Sequence, residues 1–224
     1  PWTATSSASW LSVTSGGTTG TGPGAGLVLT ANPQLATMDA ISYATVTLKT
    51  SDPDVTSAVV KVGLWRSGSA LTAVTTLPTG YTNVVADKIR PYVYGHNGGT
   101  SIDIYNAHLG TKAGTIADVG TTLAEMTVAP DGSKLYVGDT SNDTVAVIDL
   151  ATASKTGTWP LTGRYVHSAL SLLAIRTNGQ DIVLVGDGYA YVDGRNVATL
   201  PISSSSGTWV FAASPDGRRL FAQN

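Results

Sequence analysis

The same turn occurs twice in this chain. Ala129-Pro130-Asp131-Gly132-Ser133-Lys134-Leu135-Tyr136-Val137 and Ser214-Pro215-Asp216-Gly217-Arg218-Arg219-Leu220-Phe221-Ala222 are near copies. Proline presets φ at the first turn position, aspartate caps the turn through its side chain, and glycine accepts φ > 0. The basic residue, leucine and aromatic that follow read as a strand leaving a tight hairpin. A turn-plus-strand unit that recurs marks an array. Aligning further turn positions on these copies gives Asp87, Asp131, Asn178 and Asp216, which stand 44, 47 and 38 residues apart. Their mean, near 43 residues, is the period of a four-stranded propeller blade.

The second blade is the clearest. Glu125 to Ala129 reads as its innermost strand, Lys134 to Gly138 as the next, and Asp139 to Asp143 as a polar turn. Thr144 to Leu150 and Lys155 to Leu161 complete it. Residues 81–224 hold about three such blades and a fraction, whereas a closed ring takes about 4–8. An open array leaves strand edges unpaired. The expectation is that the parent protein continues past Asn224 or that a partner completes the ring.

Residues 1–66 follow a different rhythm. Trp2 to Thr5, Trp10 to Val13, Leu27 to Thr30, Tyr43 to Leu48 and Val59 to Leu64 are short β-rich runs. Gly, Pro, Asn, Asp or Ser bounds each of them, as in a small β-sandwich. Ser15 to Gly26 is almost wholly Gly, Thr and Ser, the composition of an exposed loop. Residues 67–80 read as a linker or the strand that leads into the array. The fold class expected is all-β: an immunoglobulin-like β-sandwich, then an incomplete β-propeller of about three to four blades of four-stranded antiparallel sheet.

Two resemblances refine this. Trp2, Trp10-Leu11-Ser12-Val13, Leu27 to Asn32, Ala44 to Leu48 and Val60-Lys61-Val62 together resemble a BACON domain. That likeness covers about residues 1–66 and implies an immunoglobulin-like sandwich of bacterial surface and secreted proteins, for which carbohydrate or mucin binding has been suggested. Leu135-Tyr136-Val137 and Thr144 to Asp149 are similar to the YVTN family of bacterial propellers. This second resemblance covers residues 81–224 and implies the fold; such propellers serve as enzymes, adhesins, surface-layer proteins and scaffolds.

Composition narrows the function classes. Charged residues make up 12% and the formal net charge is −2, with Arg218-Arg219 the longest basic run, so no basic stripe for nucleic acid exists. The longest apolar cluster, Ala169 to Ile175, is interrupted by Ser171 and is too short to span a bilayer. Cysteine is absent, which removes disulfides, thiol nucleophiles and Cys-zinc sites. Low charge with heavy Thr and Ser usage points to a secreted or cell-surface location, the periplasm included. The chain starts at Pro1 without Met or signal peptide and reads as a mature or excised piece.

Candidate chemistry is sparse. His96, His108 and His167 lack ligand spacing, so a structural or solvated role is expected and no metal is assigned. Gly186-Asp187-Gly188 is a turn, not a phosphate cradle, because no helix follows it. Asp139-Thr140-Ser141-Asn142-Asp143 is the most oxygen-rich loop. Its carboxylates and amide suit a hard cation such as calcium, but turn hydrogen bonding explains the same residues more simply; no other cofactor is indicated. Propeller geometry gathers His96, Asn97, Asp139, Asn142, Asp143, Arg164, Tyr165, His167 and Asp187 on one face as binding candidates. Trp10 is expected in the sandwich core, and Trp159 and Trp209 as wedges at blade ends.

No residue is nominated as catalytic. The function expected is an exported, non-catalytic binding or adhesion protein of the bacterial surface, with an extracellular protein or glycan as partner and no membrane span. One alternative is a self-assembling structural subunit of a surface layer, sheath or filament. Another is a propeller enzyme whose centre lies in further blades.

Overall fold

The computed structural model describes residues 2–15, 19–20, 27–55, 57–70, 74, 76–77, 80–161, 171–177, 180–186, 188–200, 209–214 and 219–223. The chain divides into two compact units, residues 1–71 and 72–224. Among the described residues no helix is long and apolar enough to cross a membrane.

The first unit contains β1 (Trp2–Ser6), β2 (Leu11–Ser15), β3 (Thr19–Gly20), β4 (Val28–Ala31), β5 (Ile41–Thr50) and β6 (Ala58–Trp65). They pair as a four-stranded sheet, β3-β1-β5-β6, and a two-stranded sheet, β2-β4. Period-2 alternation in β5 turns Ala44 and Val46 inward and leaves Tyr43 exposed. Ala44 and Val46 join Ala4, Trp10 and Leu11 in one core. Trp10 is only 6% exposed and packs there as its alternating context predicts. Across the chain, the Arg66 guanidinium donates to the carbonyls of Gln34 (3.3 Å) and Ala36 (3.2 Å), fixing the 3-10 turn Pro33–Leu35.

Among the described residues, the second unit forms three four-stranded up-and-down antiparallel sheets and a final hairpin. The first sheet is β7 (Asn83–Ala86), β8 (Tyr92–His96), β9 (Ile102–Asn106) and β10 (Lys112–Ile116). Next come β11 (Leu123–Val128), β12 (Lys134–Asp139), β13 (Thr144–Asp149) and β14 (Ser154–Pro160). The third is β15 (Leu172–Thr177), β16 (Gln180–Val185), β17 (Tyr189–Val192) and β18 (Arg195–Thr199), and the hairpin is β19 (Val210–Ala213) with β20 (Leu220–Gln223). Leading strands neighbour one another along the series β7, β11, β15 and β19. The fold of this unit is therefore propeller-like.

The second sheet shows why its sequence reads so clearly. Leu135, Val137, Ala146 and Ile148 enter the core shared with the first sheet, beside Tyr94, Ile102 and Met126. Their alternates Tyr136, Val145 and Val147 enter the core shared with the third sheet, beside Leu172, Val183 and Tyr191. A sheet buried on both faces needs apolar residues at both parities, hence the unbroken run Val145 to Ile148. Trp159 acts as a wedge at this second seam. Its ring lies 5.1 Å from Tyr136, and a Cβ on Gly194 of the third sheet would come within 2.6 Å of it.

Pairing corrects the turn alignment. The Asp87 amide donates to the Tyr92 carbonyl (2.9 Å), as Ala129 does to Lys134 (2.8 Å) and Ser214 to Arg219 (2.9 Å). Asp87 is thus the counterpart of Ala129, two positions before Asp131. In the third sheet Thr177 pairs directly with Gln180, three positions apart where the other closing residues stand five apart, so its first hairpin is two residues shorter. The Pro215–Arg218 turn and Asn178 lie outside the described residues.

Asp87 owes its place to a different task. One carboxylate oxygen accepts from the amides of Ile89 (2.8 Å) and Arg90 (2.9 Å). The other accepts from Arg90 Nη1 (3.0 Å) and the Tyr94 hydroxyl (2.6 Å). Arg90 Nη1 also donates to the Gly132 carbonyl at 2.9 Å, carrying the network into the second sheet. Gly132 sits at φ +65°, and a Cβ there would lie 2.5 Å from Ile89, so close approach and backbone both require glycine. Burial, then the Asp87 carboxylate, pushes the Tyr94 hydroxyl's pKa up and keeps it a donor.

Candidate functional site

At one end of the second unit, the β10–β11 connection meets the β12–β13 turn. Asp139, the last residue of β12, organises both. Its Oδ2 accepts from the Thr121 amide and Asn142 Nδ2, each at 2.8 Å. Oδ1 accepts from the amides of Thr122 (3.1 Å) and Ser141 (3.2 Å). Burial alone would raise this carboxyl's pKa, but the hydrogen bonds from Asn142, Thr121, Thr122 and Ser141 outweigh it and hold the pKa below the usual carboxylate value. Gly120 makes the approach feasible, because a Cβ there would lie 2.6 Å from Asp139 Oδ2.

Further bonds fix the surrounding backbone. Val119 donates to the Thr100 carbonyl (2.9 Å) and Thr140 to the Thr122 carbonyl (3.0 Å). Asn142 Nδ2 also reaches Thr121 Oγ1 at 3.0 Å. Lys155 Nζ donates to the Val119 carbonyl at 2.8 Å. Between these elements opens a groove of about 400 Å³, lined by Thr100, Asp118, Gly120, Thr121, Asp139, Asn142, Thr144, Lys155 and Thr158. That volume lies within the ordinary range of small-molecule sites.

The structure brings together two of the nominated residues, Asp139 and Asn142, in the groove wall. Asp143 shapes the turn beside them: its φ is +51°, a conformation Asp tolerates, and its carbonyl accepts from Leu161 at 2.9 Å. With four N–H donors converging on it, Asp139 offers a cation no open lone pair, which argues against calcium at this loop. Asn97, exposed, accepts the Thr82 amide at 2.9 Å and braces the approach to β7. Arg164, Tyr165, His167 and Asp187 lie outside the described residues.

His96 is turned inward and is 2% exposed. Its Nδ1 accepts from the Gly98 amide at 3.0 Å, so Nε2 carries the proton and donates to the Ala124 carbonyl at 2.8 Å. The ring thereby joins the first sheet to the leading strand of the second. Burial lowers its pKa below 6.5, partly opposed by the Ala124 carbonyl. An unfolded chain takes up this proton near pH 6.5 and the folded one only at lower pH. Between those values the unfolded state binds more protons, so stability rises with pH there. The neutral ring's contribution is complete above pH 6.5 and is lost as pH falls below it. The unfolding free energy of the intact protein from urea titration should drop between pH 7 and pH 5, by at most about 1.4 kcal/mol per pH unit for one proton. His96→Gln should flatten that part of the profile; an unchanged slope would refute the assignment.

Thr100, Asp118, Thr144, Lys155 and Thr158 were not singled out by sequence. Each stands in a turn, a connection or a strand on the groove's margin, and that shared placement was the signal available. In a chain so rich in threonine, residue type gave none.

No family model and no curated protein matches this chain. Among solved structures, Kuenenia stuttgartiensis hydrazine synthase is similar, with a TM-score of 0.50 and 23% identity over 67% of this chain and 44% of that one. The WD40 repeats of RRP9 align with a TM-score of 0.44 and 18% identity over 57% of this chain and 40% of that one. U3-55K aligns with the same score and identity, over 57% of this chain and 41% of that one. The likeness to hydrazine synthase is one of fold, and the chain spans less than half the length of that structure.

Proposed function

We propose that this protein is an exported, non-catalytic binding or adhesion protein of the bacterial cell surface. In this reading the first unit is an immunoglobulin-like, BACON-type sandwich and the second an incomplete propeller of YVTN type. The observation that carries the proposal is the groove beside Asp139, whose wall is fixed in advance by that carboxylate's four hydrogen bonds. A preformed polar site holds a ligand without paying to order its loops. Two titratable groups nominated from the sequence are committed to holding the fold. Asp139 is saturated and held ionised, and both ring nitrogens of His96 are engaged. Neither is poised as a general acid or base.

The test is retention of the labelled full chain on intact bacterial cells and on immobilised glycans, against an unrelated protein of similar size and charge. Saturable retention on either surface is the expected result. Retention no better than the control on both would overturn the reading.

A second reading, a structural subunit that self-assembles, rests on one feature. All five residues of β18, an edge strand of the third sheet, are exposed, Val197 at 53%, and an exposed edge carrying an apolar residue invites pairing. Growth in sedimentation coefficient with concentration would favour it, and a monomer throughout would count against it.

A further inference from the structure

We propose that the groove between the first and second sheets of the second unit binds a neutral, polyhydroxylated ligand, a sugar ring presenting vicinal hydroxyls, through hydrogen bonds alone. This rests on the binding reading above and gives it a site and a ligand class. The groove's available chemistry is made of hydroxyls. Thr100, Thr144 and Thr158 each bring to its lining a group that can donate one hydrogen bond and accept two. Sugar hydroxyls have the same dual character, so the two sets can alternate donor and acceptor roles. Asp118 adds an exposed carboxylate, and two adjacent hydroxyls of one ring can donate to its two oxygens.

Charge selects against other ligands. Asp139 is a groove residue but its carboxylate is occupied by four N–H donors. Its negative charge remains, so Asp118 and Asp139 together outweigh the one ammonium, Lys155, and the lining is net negative. A strongly anionic ligand would meet this net negative charge, an unfavourable like-charge contact. No aromatic or large aliphatic side chain belongs to the lining, so an apolar ligand would gain little from burial. The same feature sets the strength: without stacking, one ring should bind with a Kd of order 1 mM.

The backbone at Asp118 makes a clean test possible. Its φ is +53°, a conformation that Asn shares with Asp, so Asp118→Asn removes the charge while keeping the turn. Thr158→Val removes a hydroxyl from an exposed strand position at nearly constant shape. The intact ¹⁵N-labelled chain would be titrated with methyl glycosides of neutral hexoses, with glucuronate as the anionic control, to ~20 mM, well above the expected Kd.

Saturable shifts at the amides of Gly120, Thr121 and Asn142 are expected, with neutral sugars at least about threefold tighter than glucuronate. Asp118→Asn and Thr158→Val should each weaken binding by about fivefold or more, the loss of one good hydrogen bond. Sugar binding that shifts other amides, or that both variants retain, would overturn the groove assignment and leave the surface-binding reading standing. No perturbation of the groove by any neutral sugar would also overturn it, and retention on cells would then decide the broader reading independently.

Discussion

Asp87→Ala should cost the second unit about 3–5 kcal/mol of stability, the usual loss on stranding one partner of a buried ion pair. The side chains of Asp87 and Arg90 are 0% and 4% exposed. Removing the carboxylate takes the ion-pair partner from the buried guanidinium, leaves the Tyr94 hydroxyl without its acceptor, and frees two turn amides. Urea denaturation measures the loss as a lower midpoint with an unchanged slope. Asp87→Ala combined with Arg90→Met should be milder than Asp87→Ala alone, because no charge is then left buried. A double variant as damaged as the sum of its parts would show that the two residues act separately.

Asp139→Ala should cost about 2–3 kcal/mol, less than the loss at Asp87 because several of the stranded donors lie where water can reach them. Thr121, Thr122 and Ser141 are all exposed. This carboxylate also imposes a pH dependence of known sign. Its folded pKa lies below the ordinary 3.8, so between the two values the unfolded state binds more protons and stability increases with pH. The contribution is full above pH 3.8 and disappears as pH falls through the folded pKa. Asp103 and Asp149 are shifted the same way and supply a common acid background. The informative measurement is therefore the wild-type profile minus that of Asp139→Asn. A difference that does not shrink as pH falls below 4 would contradict the assigned role.

Legibility in the sequence followed burial. In the second sheet, Pro130, Asp131 and Gly132 mark the turn and Val145 to Ile148 fill both faces, so strand order could be read almost to the residue. Asp87 misled because it resembles Asp131 in type while standing two positions earlier in the pairing. Its partners, Arg90 and the distant Gly132, are visible only once the chain is folded. His96 was nominated as a surface group, yet Tyr94 and His96 share one parity of β8 and both are buried. That alternation was legible; the acceptor on Ala124, 28 residues away, was not. The groove was half legible, since Asp139 and Asn142 form a dense polar loop while its threonines are lost among many others.

The Pro-Asp-Gly turn of the second sheet is gripped from both sides. Arg90 reaches its Gly132 carbonyl from the first sheet, and Arg176 of the third approaches its Asp131 carboxylate at 3.9 Å. Sheets one and three each have one such attachment to it, whereas the middle sheet has both. Releasing either neighbouring sheet therefore leaves the second sheet with one grip intact. Among the described strands, the amides of β12 and β13 should therefore be the slowest to exchange their hydrogens with solvent.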